Sequence, residues 1–178
     1  MSGVWDLPLS PWERGSAGEA VTITRATEAD VDALVALYDE AAAWLMARGS
    51  RQWPPGWWTP KVVAKEMRAG HELYLARRGD APVGKLTLQW DDTEVWGEQP
   101  PDAGYVHGLC VSRAVAGRGL GAALLDWAAQ RVRANGRCLL RLDCMAANPA
   151  LRAYYEGLGF ACRGIGDEGW AALYQRPA

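Results

Sequence analysis

Three glycines at alternating positions, Gly117, Gly119 and Gly121, stand directly before an apolar helical pattern in "VSRAVAGRGLGAALLDWAAQRV", residues 111–132. No other feature constrains the chain as tightly. The first turn of a helix has unpaired N–H groups and the positive end of the macrodipole, and glycine lets a ligand approach the main chain closely. Such a turn accommodates an anion. Leu120, Leu124, Trp127, Ala128 and Arg131 mark one face of the helix, which ends near Gly136. "YVHGLCV" before it and "CLLRLDCM" after it read as strands, so the unit is a strand–helix–strand crossover with parallel strands.

At 178 residues and a net charge of −2, the chain is read as one domain over 21–178 behind a tail over 1–20. The charge argues against nucleic acid or an anionic membrane surface as partner. No apolar run reaches the roughly 18 residues of a membrane span. "MSGVWDLPLSPWERGSAGEA" lacks the basic start and apolar stretch of a secretory signal, so the expected location is the cytoplasm. In the Pro-, Gly- and Ser-rich tail, Trp5 and Trp12 are read as docking on the body or on a neighbouring subunit, which leaves room for a homodimer. The cysteines at 110, 138, 144 and 162 fit no Cys-x-x-Cys pattern. They are expected to be reduced core residues, and no metal is expected.

Along the domain, "VTITRA" is a short strand. Thr27 and Asp30 form a capping box for a helix whose face is Val31, Leu34, Val35, Tyr38, Ala42 and Leu45, with Gly49 as its stop. A second helix runs from about Thr59 to Ala69. "HELYLARRGDAPVGKLTLQW" reads as a hairpin, because Leu86, Leu88 and Trp90 alternate with Lys85, Thr87 and Gln89 beyond a Gly-Asp turn. An acidic loop then leads to "YVHGLCV". After the crossover, Asn148 caps a short helix with Pro149 in its first turn, and two strands near 160–163 and 170–176 close the chain. The fold class expected is α/β (α+β), with a mixed, mostly antiparallel sheet of about seven strands, about four helices and one parallel crossover.

The glycines admit several readings. A phosphate-binding P-loop is excluded, since no Lys-Ser or Lys-Thr follows the last glycine. A dinucleotide fold is an alternative, because Gly117, Gly119 and Ala122 satisfy G-x-G-x-x-A after a strand and Asp143 ends the next one. A bare strand-to-helix turn that binds nothing is another.

"LCVSRAVAGRGLGAALL" followed by "NPALRAYYEGLGF" resembles the GNAT N-acetyltransferases, and the likeness covers about residues 21–176. The family's first motif, Gln/Arg-x-x-Gly-x-Gly/Ala, is matched by Gly119 and Gly121, whereas its opening position holds Ala116. The departure removes one phosphate contact, for which Arg113 or Arg118 are the substitutes. The second motif resembles Asn-x6-Tyr-Glu-x-Leu-Gly-Phe and is met by Asn148, Tyr155, Glu156, Leu158, Gly159 and Phe160. The resemblance implies acetyl-CoA as co-substrate. Its pyrophosphate would sit on Ala116, Gly117, Arg118, Gly119, Leu120, Gly121 and Ala122, and its pantetheine arm would pair along Leu109, Cys110 and Val111 where the parallel strands splay. Asn148 and Tyr155 complete the cofactor set. The implied reaction moves an acetyl group to a primary amine by direct attack in a ternary complex. A non-catalytic sensing module on the same fold is the alternative of another class.

Acetyl transfer requires an amine freed of its proton, donors for the developing oxyanion, such as the main-chain N–H of Val111, and a proton for the departing thiolate. The resemblance makes Tyr155 the general acid. Tyr154, its competitor, falls about 100° round the helix. For the base, His107 stands where the family often has a glutamate, and a histidine titrates in a useful range. Glu94, Glu98 and Asp102 are fallback bases, and His71 reads as structural. The resemblance places the acceptor between "GSRQWPPGWWTP", with Trp53, Trp57 and Trp58, and the acidic loop, with Asp91, Asp92, Glu94, Trp96, Glu98 and Asp102. Aromatic faces opposite carboxylates suit a cationic amine, on a small molecule or a peptide.

Overall fold

The computed structural model describes residues 20–50, 52–166 and 168–178, so Trp5 and Trp12 of the tail lie outside the described residues. The chain runs β1 (Val21–Arg25), a 3-10 turn (Glu28–Asp30), α1 (Val31–Met46), α2 (Pro60–Arg68), β2 (Glu72–Arg78) and β3 (Ala81–Gln89). It continues through α3 (Thr93–Trp96), β4 (Ala103–Val111), α4 (Leu120–Ala134), β5 (Leu139–Met145), α5 (Pro149–Gly157), β6 (Ala161–Ile165) and β7 (Ala171–Pro177). This is the expected order of elements, with one addition: α3, a single turn inside the acidic loop.

The strands form one sheet in the order β1-β2-β3-β4-β5-β7-β6. β1/β2, β5/β7 and β6/β7 are antiparallel, while β4 and β5 run parallel from Ala103 opposite Leu139 to Val106 opposite Leu142. A sheet of this kind is not the doubly wound parallel sheet of a dinucleotide fold, and that alternative falls.

Local chemistry explains the helix starts. The Thr27 main-chain N–H donates to the Asp30 carboxylate at 2.8 Å, completing the capping box before α1. Thr59 Oγ1 accepts from Val62 N at 3.3 Å, and Asn148 Oδ1 from Leu151 N at 3.1 Å. A proline follows each of these two caps, where its missing N–H removes no helical bond.

The described residues pack as two compact units, one within 20–87 with 108–124, the other within 88–107 with 125–178. In the first, α1 and α2 bury Leu34, Leu37, Tyr38 and Val63 against Leu73, Leu75 and Cys110. Each fully buried leucine there contributes about 1.5–3 kcal/mol. In the second, Trp96, Ala103 and Tyr105 form a cluster with Val95, Leu139 and Leu173. Gly104 is needed in this unit for space, since a Cβ there would collide with Val132 Cγ2 and meet Leu88 Cδ1 at 3.3 Å.

Two expectations change. β3 is buried continuously from Val83 to Leu88 and has no wet face for Lys85 and Thr87, which are 0% and 3% exposed. Both faces of this strand are covered, and such a strand does not sort polar from apolar by alternation. The cysteines are all free, but only Cys110 and Cys144 are in the core. Cys138 precedes β5 and is exposed, and Cys162 lies on the edge strand β6, whose residues are all exposed. Among the described residues, no helix is long and apolar enough to cross a membrane.

Candidate active site

The glycine turn lies in the first unit. After Val111 the chain leaves β4, where Ser112 N donates to Val83 O at 2.9 Å and Arg113 N to Glu40 Oε1 at 2.9 Å. Gly117 and Gly119 then take φ values of 76° and 87°, in the left-handed region that disfavours side chains. Both are exposed, and a Cβ added at Gly117 would meet nothing within 4 Å. The turn is open to a ligand.

The helical bond from Ala123 N to Gly119 O, 3.0 Å, closes the first full turn of α4. Leu120, Gly121 and Ala122 precede it, so their N–H groups have no carbonyl within the helix to donate to. These donors, the macrodipole and the bare turn fit a pyrophosphate. Of the two arginines expected to replace the contact missing at Ala116, Arg113 is engaged. Its guanidinium donates to Val111 O at 2.8 Å and lies 4.7 Å from the centroid of the Trp44 ring. Arg118 is exposed in the turn itself.

Of the strand residues expected to line the pantetheine arm, Leu109 and Val111 are half-buried. Cys110 points the other way, into the α1–α2 core, and burial pushes its thiol up to about 12, so it is no nucleophile.

In the second unit, His107 is held between two carboxylates that sequence reasoning had not joined to it. Nε2 lies 3.2 Å from Asp92 Oδ2, and Nδ1 lies 3.5 Å from Asp143 Oδ1. Asp92 and Asp143 are 7% and 12% exposed at the side chain. Burial pushes the Asp143 carboxyl above its ordinary value, and Asp92 adds to that while His107 opposes it. The ligand-type atoms of the three lie within 4.8 Å of one another, as metal ligands can. The carboxylates lie beside opposite nitrogens of one ring, so a proton taken up by that ring is stabilised from both sides. In the sequence Asp143 is only a strand end and Asp92 only a loop acid; the β4/β5 register, with Val106 opposite Leu142, brings Asp143 beside His107.

The fallback bases stand elsewhere. Glu94 and Glu98 are exposed, and Asp102 lies 3.4 Å from Arg141 Nη2. His71 Nδ1 is paired with Glu66 Oε2 at 2.6 Å, in keeping with a structural role.

Tyr155 is buried on α5, its ring 5.9 Å from that of Phe160 and 6.1 Å from that of Tyr174. Tyr154 next to it is exposed. The two are therefore separated in environment as the helix geometry implies. Asn148 spends its side-chain oxygen on the α5 cap.

The aromatic wall is only partly as expected. Trp57 is exposed, whereas Trp58 stacks on Tyr38 with centroids 4.0 Å apart and Trp53 meets the same ring edge-on at 5.7 Å. Trp96 belongs to the core of the second unit, 8% exposed and 6.0 Å from the Tyr105 ring. The turn of α3 is what folds it inward.

The profile of the acetyltransferase (GNAT) family matches residues 38–160. An uncharacterized N-acetyltransferase of Bacillus subtilis (strain 168), YesJ, is 30% identical over 148 residues, 79% of this chain and 82% of that protein. Among solved structures, a GNAT-family acetyltransferase from Listeria monocytogenes superposes with a TM-score of 0.77 at 26% identity, covering 92% of this chain and 98% of that one. PaiA N-acetyltransferase from Thermoplasma acidophilum, solved in complex with coenzyme A, shares the fold at a TM-score of 0.71 and 13% identity, covering 89% of this chain and 99% of that one. With the crossover, the glycine turn and the helix Pro149–Gly157 all in their expected places, the chain belongs to the acetyltransferase (GNAT) family.

Proposed function

We propose that the chain moves the acetyl group of acetyl-CoA to a primary amine by direct attack within a ternary complex. One observation carries this reading: the exposed, positive-φ turn at Gly117 and Gly119 that leads from β4 into α4. Bound acetyl-CoA would supply an activated thioester. The N–H groups of Leu120, Gly121 and Ala122 take its pyrophosphate, and the backbone of Leu109–Val111 takes the amides of its arm. The coenzyme A held by PaiA supports the choice of ligand.

The chain's own residues do the proton work. An alkyl ammonium near pKa 10 must lose a proton before it attacks, and the Asp92–His107–Asp143 set takes that proton. Asp92 and Asp143 hold the ring, one at each nitrogen. Tyr155 gives a proton to the departing sulfur. The exposed carboxylates Asp91, Glu94 and Glu98 favour an ammonium by their field, and the exposed face of Trp57 favours it by cation–π attraction.

Calorimetry with acetyl-CoA on wild-type and Gly119→Val protein tests the cofactor site. Valine at φ 87° both strains the turn and fills it, so folding is checked first by circular dichroism. Losing one or two N–H bonds to a charged phosphate should weaken binding roughly tenfold to a hundredfold. Unchanged affinity in a folded variant would move the pyrophosphate elsewhere. Coenzyme release with a panel of amines tests turnover, since a sensing module would bind acetyl-CoA and release no thiol.

A further inference from the structure

Lys85 is completely buried in the first unit. A buried ammonium is costly unless a counter-charge meets it, and burial pushes this one down to about 8, leaving most of it charged at neutral pH. Among the described residues, no carboxylate lies within 4.0 Å of Nζ. The acidic groups whose fields reach it are the Cys110 thiol, itself pushed up to about 12 by burial, and Glu66, which is bonded to His71 at 2.6 Å.

What surrounds Nζ is a set of hydroxyls and rings. It donates to the Tyr38 hydroxyl, and to Thr87 Oγ1 at 3.3 Å, and it lies 3.7 Å from the Tyr38 ring centroid. This triangle has more hydrogens to donate than oxygens to receive them, since an ammonium carries three N–H bonds and each hydroxyl one O–H.

One further polar atom points to a missing acceptor: Trp58, stacked on Tyr38, has a buried Nε1 with no hydrogen bond. Gly108 meanwhile brings β4 against the pair. It sits at φ 54° in mid-strand, and a Cβ there would collide with the Tyr38 hydroxyl and stand 2.9 Å from Lys85 Nζ. The pair thus touches the residue just before Leu109–Val111, the stretch assigned to the pantetheine arm.

We propose that Lys85, with Tyr38, Thr87 and Trp58, holds a carboxylate of the acceptor, which is therefore an amino acid or ω-amino acid rather than a plain polyamine. A carboxylate is the matching anion, because one negative charge balances one ammonium, whereas a phosphate dianion would leave charge buried. It accepts at two oxygens, which suits surplus N–H and O–H donors. The phosphates of acetyl-CoA are already placed at the glycine turn, so the anion comes from the acceptor. Lys85 is fully buried, so admitting the carboxylate requires Trp58, half-buried on an irregular loop over Tyr38, to shift. This inference rests on the N-acetyltransferase reading above.

The test is coenzyme release from acetyl-CoA by the full chain with three acceptor sets: free amino acids and ω-amino acids, the same amines as carboxamides, and polyamines. A carboxylate-bearing acceptor should exceed its own carboxamide in kcat/KM by roughly 30-fold or more, mainly through KM. Lys85→Met, which keeps an unbranched apolar stem, should shrink that difference to a few-fold and leave acetyl-CoA affinity unchanged. Wild-type preference for carboxamides or polyamines overturns the inference, and so does a carboxylate preference that survives Lys85→Met. If no amine is acetylated, the N-acetyltransferase reading fails, and the site is judged by calorimetry with N-acetyl amino acids. Wild-type binding that Lys85→Met abolishes supports the carboxylate site on its own; no wild-type binding sinks it.

Discussion

Replacing His107 by alanine should lower kcat roughly 10²-fold or more, the usual contribution of a positioned general base. The expected loss has a second signature. A base works only when deprotonated, so wild-type turnover falls as pH drops through its ionisation, and the variant should lack that acid limb. The environment of His107 complicates the alanine change, because removing the ring leaves Asp92 and Asp143 near each other without the imidazole whose charged form opposes the rise of the Asp143 carboxyl. His107→Gln keeps a polar spacer between them and controls for that repulsion. Both variants should lose the limb; only the alanine variant should also lose appreciable stability. A pH–rate profile of wild-type shape in both would transfer the base role to Glu94, Glu98 or Asp102.

Tyr155→Phe should cost less, about tenfold to a few hundredfold in kcat. A thiol near the ordinary cysteine pKa of about 8.5 is already a fair leaving group, so a donated proton helps it only in part. Phenylalanine preserves the ring contacts with Phe160 and Tyr174, so the fold and acetyl-CoA affinity should hold while kcat falls. Tyr154→Phe alters an exposed side chain and should do much less. Damage from Tyr154→Phe together with a silent Tyr155→Phe would reverse the assignment of the α5 face.

The features legible in the sequence are those whose cause is local. Thr27 and Asp30 cap α1 through bonds spanning three residues, and Asn148 caps α5 the same way. The bareness of Gly117 and Gly119 belongs to their own backbone angles. What the sequence hid depends on the sheet. Asp92 and Asp143 come from opposite sides of His107 in the chain and meet it only because α3 follows β3 and β5 lies beside β4. The alternation of Leu86 and Leu88 with Lys85 and Thr87 marks β3 as a strand but does not tell that both of its faces are covered. Trp96 read as part of an acceptor wall because its loop looked unstructured; one turn of helix redirects it into the core.

The sealed ammonium of Lys85 also links folding to alkalinity. Its pKa falls from 10.5 in the open chain to about 8 in the fold, so between those values the unfolded chain binds more protons than the folded one. Stability linked to this group therefore rises with pH over that window, by roughly 3 kcal/mol at most, and the burden is fully present below pH 8. The melting temperature of Lys85→Met protein should exceed that of wild type at pH 7 and lose this advantage toward pH 10. A carboxylate ligand should raise the wild-type midpoint at pH 7 in the same direction, by neutralising from outside the charge that methionine removes. Unoccupied, the enzyme would then carry the full cost of this buried charge at neutral pH, and its acceptor would act as a folding ligand.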